Sequence, residues 1–481
     1  MKRLETGIPE LDLILCGGIP AGALVVVAGG PGTGKTILAQ QICFASATAE
    51  HKAVYYTTLA EPHSKLVRYI GGFDFFDESA LEERVEFVNL ADLLLEEEGK
   101  NGDPLGPMIS EIVRVCFERK PAVIVIDSAK ALRDFVDESA LRRVLYDLAG
   151  KVAHSDTVVL FLGEYAQEEI ESSPEFSLAD GILYLAYEAR EPVDRRWLRV
   201  TKLRGVNHLG GKHSVTIDQR GMNVAARLES LTPGSFTLEN GRISTGISGL
   251  DEMIGGGVAA GDSTALLGPS GAGKTLASLQ FVARGLEEGE RCLYVSFQED
   301  GDQLLKKGAS FGLDLASARD SGQLAIYHVP QGNLDLDVLG AAVRAVLADG
   351  TVRRVAIDSL AELVFAAREA ERFPAYARTL VGFMRAAGAT SLITSEIATL
   401  GPLETPLGGL SFLFHNVVLL RYVEMDSELR HAVNVLKMRD SGHEKGLREY
   451  EIDGKGLVVG EKLDGVTGAL GWSALRDHQT K

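Results

Sequence analysis

Two stretches of eight residues carry the most specific chemistry in the chain. Gly29-Gly30-Pro31-Gly32-Thr33-Gly34-Lys35-Thr36 and Gly268-Pro269-Ser270-Gly271-Ala272-Gly273-Lys274-Thr275 both follow the spacing G-x-x-x-x-G-K-[ST]. Glycines let backbone N–H groups curl around phosphate oxygens, and a helix that follows presents its positive N-terminus to the same anion. Lys35 and Lys274 have the reach to neutralise β- and γ-phosphates. The hydroxyls of Thr36 and Thr275 are hard oxygen ligands suited to Mg2+. Each loop has the setting such chemistry needs: a short apolar run before it and a helix-like run after it.

Carboxylates recur at matching places. Asp127 ends the apolar run Val123-Ile124-Val125-Ile126, and Asp358 ends Val355-Ala356-Ile357. A carboxylate at such a strand end can hold the water shell of Mg2+. Glu61 and Glu299 follow two further apolar runs, where a carboxylate can orient and deprotonate an attacking water. Glu164 and Glu396 end later runs and read either as sensors of the terminal phosphate or as polar strand ends. Lys202/Arg204 and Lys437/Arg439 share a Lys-x-Arg spacing, which puts both cations on one face of a strand. Their recurrence points to phosphate contacts, on the pattern of an arginine finger reaching an adjacent subunit.

These pairs are consequences of a duplication. Thr6-Gly7-Ile8-Pro9-Glu10-Leu11-Asp12 returns as Thr245-Gly246-Ile247-Ser248-Gly249-Leu250-Asp251, and Gly17-Gly18 returns as Gly256-Gly257. Ile126-Asp127-Ser128 returns as Ile357-Asp358-Ser359. The features keep their order and nearly their spacing, as a tandem repeat with small loop insertions requires. Two lobes are therefore expected, residues 1–225 and 226–481, with Thr232-Pro233-Gly234-Ser235 as a turn near the junction. Within each, short apolar runs alternate with helix-like runs. This predicts an α/β fold with a mostly parallel sheet flanked by helices, whose ligands bind beyond the carboxyl ends of the strands.

Composition narrows the partners. The chain has 481 residues, 49 Lys and Arg against 67 Asp and Glu, and a net charge of −18. Unaided nucleic-acid binding is disfavoured, because phosphate contacts need clustered cations. A DNA-associated motor built on the same loops would need a basic channel. The four cysteines, Cys16, Cys43, Cys116 and Cys292, form no CxxC pair and read as reduced, buried thiols. The N-terminus turns acidic before any apolar run develops, and no run approaches the roughly 18 residues of a membrane span. A cytoplasmic protein is expected. The 53 glycines exceed the usual share of about 7%, which suggests backbone that approaches a ligand.

A P-loop lobe with a glutamate after the next strand and a later KLR or KMR resembles the RecA-like ATPases. The tandem order, the two Thr-Gly-Ile openings and the stretch from Leu419 to Glu424 and from Asn434 to His443 resemble the KaiC family of circadian-clock ATPases. The resemblance covers nearly the whole chain. It implies two tandem RecA-like domains, bound ATP and Mg2+, and a double-ring homohexamer with ATP at the subunit interfaces. By that resemblance Lys202, Leu203, Arg204 and His208 approach a neighbour's nucleotide in the first ring. Lys437, Met438, Arg439, Ser441 and His443 do so in the second, and Phe311 lies against the second-lobe base. The resemblance also implies a second lobe with serine autokinase activity and partners in a clock or signalling system. A nucleotide-gated signalling scaffold with little kinase activity is the other reading.

The chain departs from the family at two places. Where the family has adjacent glutamates, it carries Ala60-Glu61 and Gln298-Glu299. Where the family has Ser-Thr phosphoacceptors, it carries Ser411-Phe412, which leaves Ser411 as the candidate acceptor.

Overall fold

A computed structural model of the chain describes residues 2–57, 63–90, 105–134, 138–170, 173–189, 194–235, 241–367, 371–397, 410–425, 427–439, 441–463, 466–467 and 475–476. It separates into two compact units, Met1–Leu231 and Thr232–Lys481. The first unit extends past Ala225 because the chain stays packed on it. Ala226 and Leu228 are buried, and the Ala226 N–H donates to the Glu10 carboxylate at 3.1 Å.

The first unit is built on nine strands: β1 (Leu24–Gly29), β2 (Ala53–Thr57), β3 (Val85–Asn89), β4 (Val123–Asp127), β5 (Val158–Glu164), β6 (Gly181–Glu188), β7 (Arg195–Leu203), β8 (His213–Asp218) and β9 (Gly221–Ala225). They form one sheet in the order β9-β8-β7-β6-β1-β5-β4-β2-β3. From β3 to β6 the neighbours run parallel, and β6 to β9 add an antiparallel extension. All six residues of β1 are buried, as a central strand covered on both faces requires.

Side chains alternate across that strand. Val25 and Val27 share a cluster with Leu38 and Ile42 of helix α1 (Lys35–Ser46). On the opposite face Leu24, Val26 and Ala28 join Ile109 and Ile112 of α2 (Gly106–Glu118) and Leu145 and Leu148 of α3 (Glu138–Val152). Each such valine, leucine or isoleucine contributes about 1.5–3 kcal/mol when fully buried. Cys43 and Cys116 are buried, but Cys16 is exposed, in a left-handed turn (φ 53°) after the short helix Pro9–Ile14.

The second unit repeats the plan. Its strands are β10 (Ser263–Gly268), β11 (Arg291–Ser296), β12 (Leu324–His328), β13 (Val352–Asp358), β14 (Thr390–Glu396), β15 (Asn416–Met425), β16 (Glu428–Met438), β17 (Arg448–Asp453) and β18 (Gly456–Lys462). The order β12-β11-β13-β14-β10-β15-β16-β17-β18 keeps β10 central. Helix α4 (Lys274–Glu287) follows β10 and buries Ala277, Leu279, Phe281 and Val282 in the core cluster.

In both sheets the chain leaves the central strand to one side and returns to its other side later. The carboxyl ends of β1 and β10 therefore lie at a topological switch point, where open α/β sheets bind ligands.

Candidate nucleotide sites

Each glycine loop sits at such a switch point and turns directly into a helix. Gly34 and Gly273 are the N-cap residues of α1 and α4, both left-handed, with φ of 100° and 86°. A Cβ at Gly34 would stand 2.6 Å from Met222 Cε, so glycine is required there for both conformation and space. The first turns of both helices point their unpaired N–H groups back into the loop.

Lys35 and Lys274 lie under these loops. Lys35 Nζ donates to the carbonyls of Gly29 at 2.9 Å and Gly30 at 2.8 Å. Lys274 Nζ donates to Gly268 at 2.9 Å and Pro269 at 2.8 Å. Burial lowers the pKa of both ammonium groups. Glu164 and Asp127 pull Lys35 back toward its charged form, and Glu396 and Asp358 do the same for Lys274. Glu164 and Glu396 earn that role by register: they pair with Gly29 and Gly268 on the adjacent central strands.

The hydroxyl and carboxylate expected at a metal site are brought together in both lobes. Thr36 Oγ1 donates to Asp127 Oδ2 at 2.9 Å, and Thr275 Oγ1 donates to Asp358 Oδ2 at 2.7 Å. A buried tyrosine completes each pair. Tyr55 donates to Asp127 at 2.6 Å and Tyr294 donates to Asp358 at 3.1 Å. Burial, reinforced by the aspartate, pushes both phenol pKa values well up, so the tyrosines remain neutral donors. Thr394 adds a further hydrogen bond to Asp358. The peptides Asp127-Ser128 and Asp358-Ser359 are both cis. A hydroxyl beside a carboxylate is the all-oxygen donor chemistry that Mg2+ takes, with waters and phosphates filling its other positions.

The tyrosines were legible but unread: Tyr55 and Tyr294 stand at the same repeat spacing as the glycine loops. Thr394 and Glu362 had no such signal. Glu362 corresponds to Ala131 in the first lobe.

Glu61 lies outside the described residues. Glu299 is ion-paired with Lys307, and its Oε2 is buried with no hydrogen-bond partner among the described residues. Gln298 donates through Nε2 to Glu362 Oε1 at 2.6 Å.

The Lys-x-Arg pairs do not hydrogen-bond to the glycine loop of their own lobe; they grip backbone. Lys202 donates to the carbonyls of Phe176 at 3.3 Å and Ser177 at 3.2 Å, and Arg204 reaches Ser177 and Asp180. Lys437 donates to Ser411 and Phe414, both at 2.8 Å, and Arg439 to Phe412 at 3.0 Å. Ser411 is therefore exposed on a short turn, Leu410–Leu413, tied to strand β16.

Leu203 is buried and Met438 packs against the second core. Ser441 donates to Met438 Sδ at 3.8 Å, while His208 and His443 are both half-buried. Phe311 is the half-buried C-cap of the helix Gly301–Ser310. Among the described residues no helix is long and apolar enough to cross a membrane.

A family model described as "ATPase: KaiC" matches residues 4–229 and 243–464. The circadian clock protein KaiC3 of Synechocystis sp. (strain ATCC 27184 / PCC 6803 / Kazusa) is 28% identical over 488 residues, covering 100% of this chain and 96% of that protein. The circadian clock oscillator protein KaiC of Thermostichus vulcanus is 28% identical, over 99% of this chain and 92% of its own. KaiC of Parathermosynechococcus lividus is also 28% identical, over 99% and 88%.

Proposed function

The chain belongs to the KaiC ATPases, and from that premise we propose that both of its lobes bind Mg-ATP and hydrolyse it as the steps of a regulatory cycle. The observation that carries the reading is the duplicated constellation at the two switch points. In each, a left-handed glycine precedes the helix, a lysine (buried in the first lobe, half-buried in the second) is bonded to the loop carbonyls, and a threonine hydroxyl is bonded to a strand-end aspartate.

The residues divide the work by chemistry. Residues 30–36 and 269–275 cradle the phosphates through backbone N–H groups and helix N-termini. Lys35 and Lys274 exchange their carbonyl partners for β/γ-phosphate oxygens. That exchange is favoured because a buried ammonium gains more from an anion than from a neutral carbonyl. Thr36 with Asp127, and Thr275 with Asp358, hold Mg2+, which neutralises charge on the transferring phosphoryl group. Glu61 and Glu299 act as general bases toward the attacking water.

The assembly we propose is a cytoplasmic double-ring homohexamer, with ATP at the interfaces and Phe311 against the second-lobe base. Lys202, Leu203, Arg204 and His208, and Lys437, Met438, Arg439, Ser441 and His443, would meet a neighbour's nucleotide. Partners would be clock or signalling proteins.

Turnover in Glu61→Gln and Glu299→Gln tests the bases. Each should lose the turnover of its own lobe with nucleotide binding retained, and unchanged hydrolysis in both would refute the assignment.

Autokinase activity at Ser411 is the finer proposal. The hydroxyl is exposed and its turn is fixed by Lys437 and Arg439. Incubation with Mg-ATP followed by intact-mass measurement should show one phosphate per chain, absent in Ser411→Ala. A phosphate that survives Ser411→Ala, or none in the unaltered chain, rejects it.

A further inference from the structure

Position 298 holds an amide where a carboxylate would be the simpler catalyst. Gln298 follows β11 in a loop fixed beside the Asp358 strand end. The Phe297 N–H donates to the Asp358 carbonyl at 3.3 Å, and Ser296 Oγ donates to the Glu299 carbonyl at 2.6 Å. The Gln298 side chain is exposed, and its Nε2 donates to Glu362 Oε1 at 2.6 Å.

Glu362 itself is 5% exposed and lies on α5 (Leu360–Ala366), the helix that begins two residues after Asp358. Its other oxygen accepts from Ser359 Oγ at 2.6 Å. A carboxylate held at both oxygens in the interior is a fixed acceptor, and it dictates which end of a neighbouring amide faces it. With Nε2 committed to Glu362, the planar amide turns Oε1 the other way.

The two repeats change together at these positions. The first lobe has Ala60 where the second has Gln298, and Ala131 where the second has Glu362. The amide and its buried partner are both present or both absent.

We propose that Glu362 is a positioning residue of the second lobe: it locks the Gln298 amide so that Oε1 accepts a hydrogen bond from the nucleophile of phosphoryl transfer. The proposal rests on the reading of the second lobe as an ATPase. In hydrolysis the water oxygen bonds to the γ-phosphorus. The bond from that phosphorus to the β–γ bridging oxygen breaks, and its electron pair leaves with ADP. One water proton, held by Gln298 Oε1, stays with the new phosphate as its hydroxyl. The other passes to Glu299. Gln298 orients and accepts no proton, as an amide must; Glu362 acts only through it.

A double-mutant cycle on the full-length chain tests this, reading kcat and KM for ATP. Second-lobe turnover is the part that Lys274→Ala removes. Gln298→Ala and Glu362→Ala should each lower its kcat by about ten- to a hundredfold, up to the loss that a misplaced reacting group produces, with KM unchanged. The double variant should be no slower than either single one. Glu362→Gln still offers an oxygen acceptor to Nε2 and should restore most of the turnover that Glu362→Ala loses.

Multiplying effects in the double variant overturn the proposal, as does a Glu362→Gln variant as slow as Glu362→Ala. Should Glu362→Ala fail to fold, Gln298→Ala alters only an exposed side chain, and an unchanged kcat there is equally decisive. If Lys274→Ala removes no turnover, the ATPase reading of the second lobe fails by that separate observation, and this proposal falls with it.

Discussion

Among the described residues Asp358 accepts from three hydroxyls, those of Thr275, Tyr294 and Thr394, and none of these donors is charged. Neutral donors orient a carboxylate without cancelling its charge, so it stays attractive to a divalent cation. Tyr294→Phe removes one such donor while leaving the buried ring. It should destabilise the chain by about 1 kcal/mol in urea unfolding, and Thr394→Val by a similar amount. An unchanged unfolding midpoint would mean these bonds are not sustained in solution.

A second residue-scale prediction concerns pH. His213 is fully buried; its Nε2 donates to the Leu209 carbonyl at 3.1 Å and its Nδ1 accepts from the Arg227 N–H at 2.9 Å. Both nitrogens are satisfied in the neutral ring. Burial, helped by nearby Arg227 and His208 and opposed by the Leu209 carbonyl and Glu10, holds its pKa below the ordinary value. Above about pH 6.5 both folded and unfolded rings are neutral and the group adds nothing. Below that pH the unfolded chain takes up a proton that the folded chain resists, so stability falls as pH drops toward the folded pKa. In thermal unfolding, His213→Gln should flatten the loss of Tm between pH 6.5 and 5. An identical pH profile in the variant would contradict this.

Much of the chemistry at this scale was legible from spacing alone, because Lys35, Thr36 and Asp127 have counterparts at matching places. Tyr55 and Tyr294 carried the same signal inside apolar runs, where a tyrosine reads as core. Glu362 was not legible, because it has no partner in the repeat and its meaning depends on contact with Gln298.

At the scale of elements, the glycine before each phosphate-loop helix sets the geometry. Gly34→Ala forces a side chain into a left-handed conformation, at a cost of about 1–2 kcal/mol, and also against Met222. It should weaken nucleotide binding in the first lobe and lower Tm; a variant with unaltered Tm and affinity would contradict the strained-cap account.

The Lys-x-Arg strands gained a role that spacing did not indicate. Their cations hold the backbone of Phe176, Ser177, Ser411, Phe412 and Phe414. Lys437→Ala should therefore speed amide hydrogen exchange across residues 411–414 while leaving β10 protected. Equal exchange in the two proteins would show that the clamp carries no weight. Apolar runs such as Leu24–Gly29 announced the parallel strands, since strands buried on both faces must be apolar throughout. The antiparallel extension was harder to read. In Arg195–Leu203 only the middle, Leu198–Thr201, alternates buried and exposed residues, a pattern too short to specify which sheet edge it joins.

For the whole molecule, duplication explains the size and part of the glycine excess. Two nine-stranded sheets each devote glycines to turning a phosphate loop, and the family match spans both repeats. The net charge of −18 leaves 49 Lys and Arg outnumbered by 67 Asp and Glu, and the loop lysines of the two sites lie near strand-end carboxylates. Such a molecule should show no acceleration of ATP turnover by DNA; a several-fold acceleration would revive a nucleic-acid role.

The central claim is that both lobes are nucleotide sites built on the same residues. Counting bound nucleotide at saturating Mg2+ and a slowly hydrolysed ATP analogue tests it most directly. The account predicts two nucleotides per chain, one after either Lys35→Ala or Lys274→Ala, and none when both are changed. A single nucleotide on the unaltered chain, or two retained by a folded double variant, would contradict it.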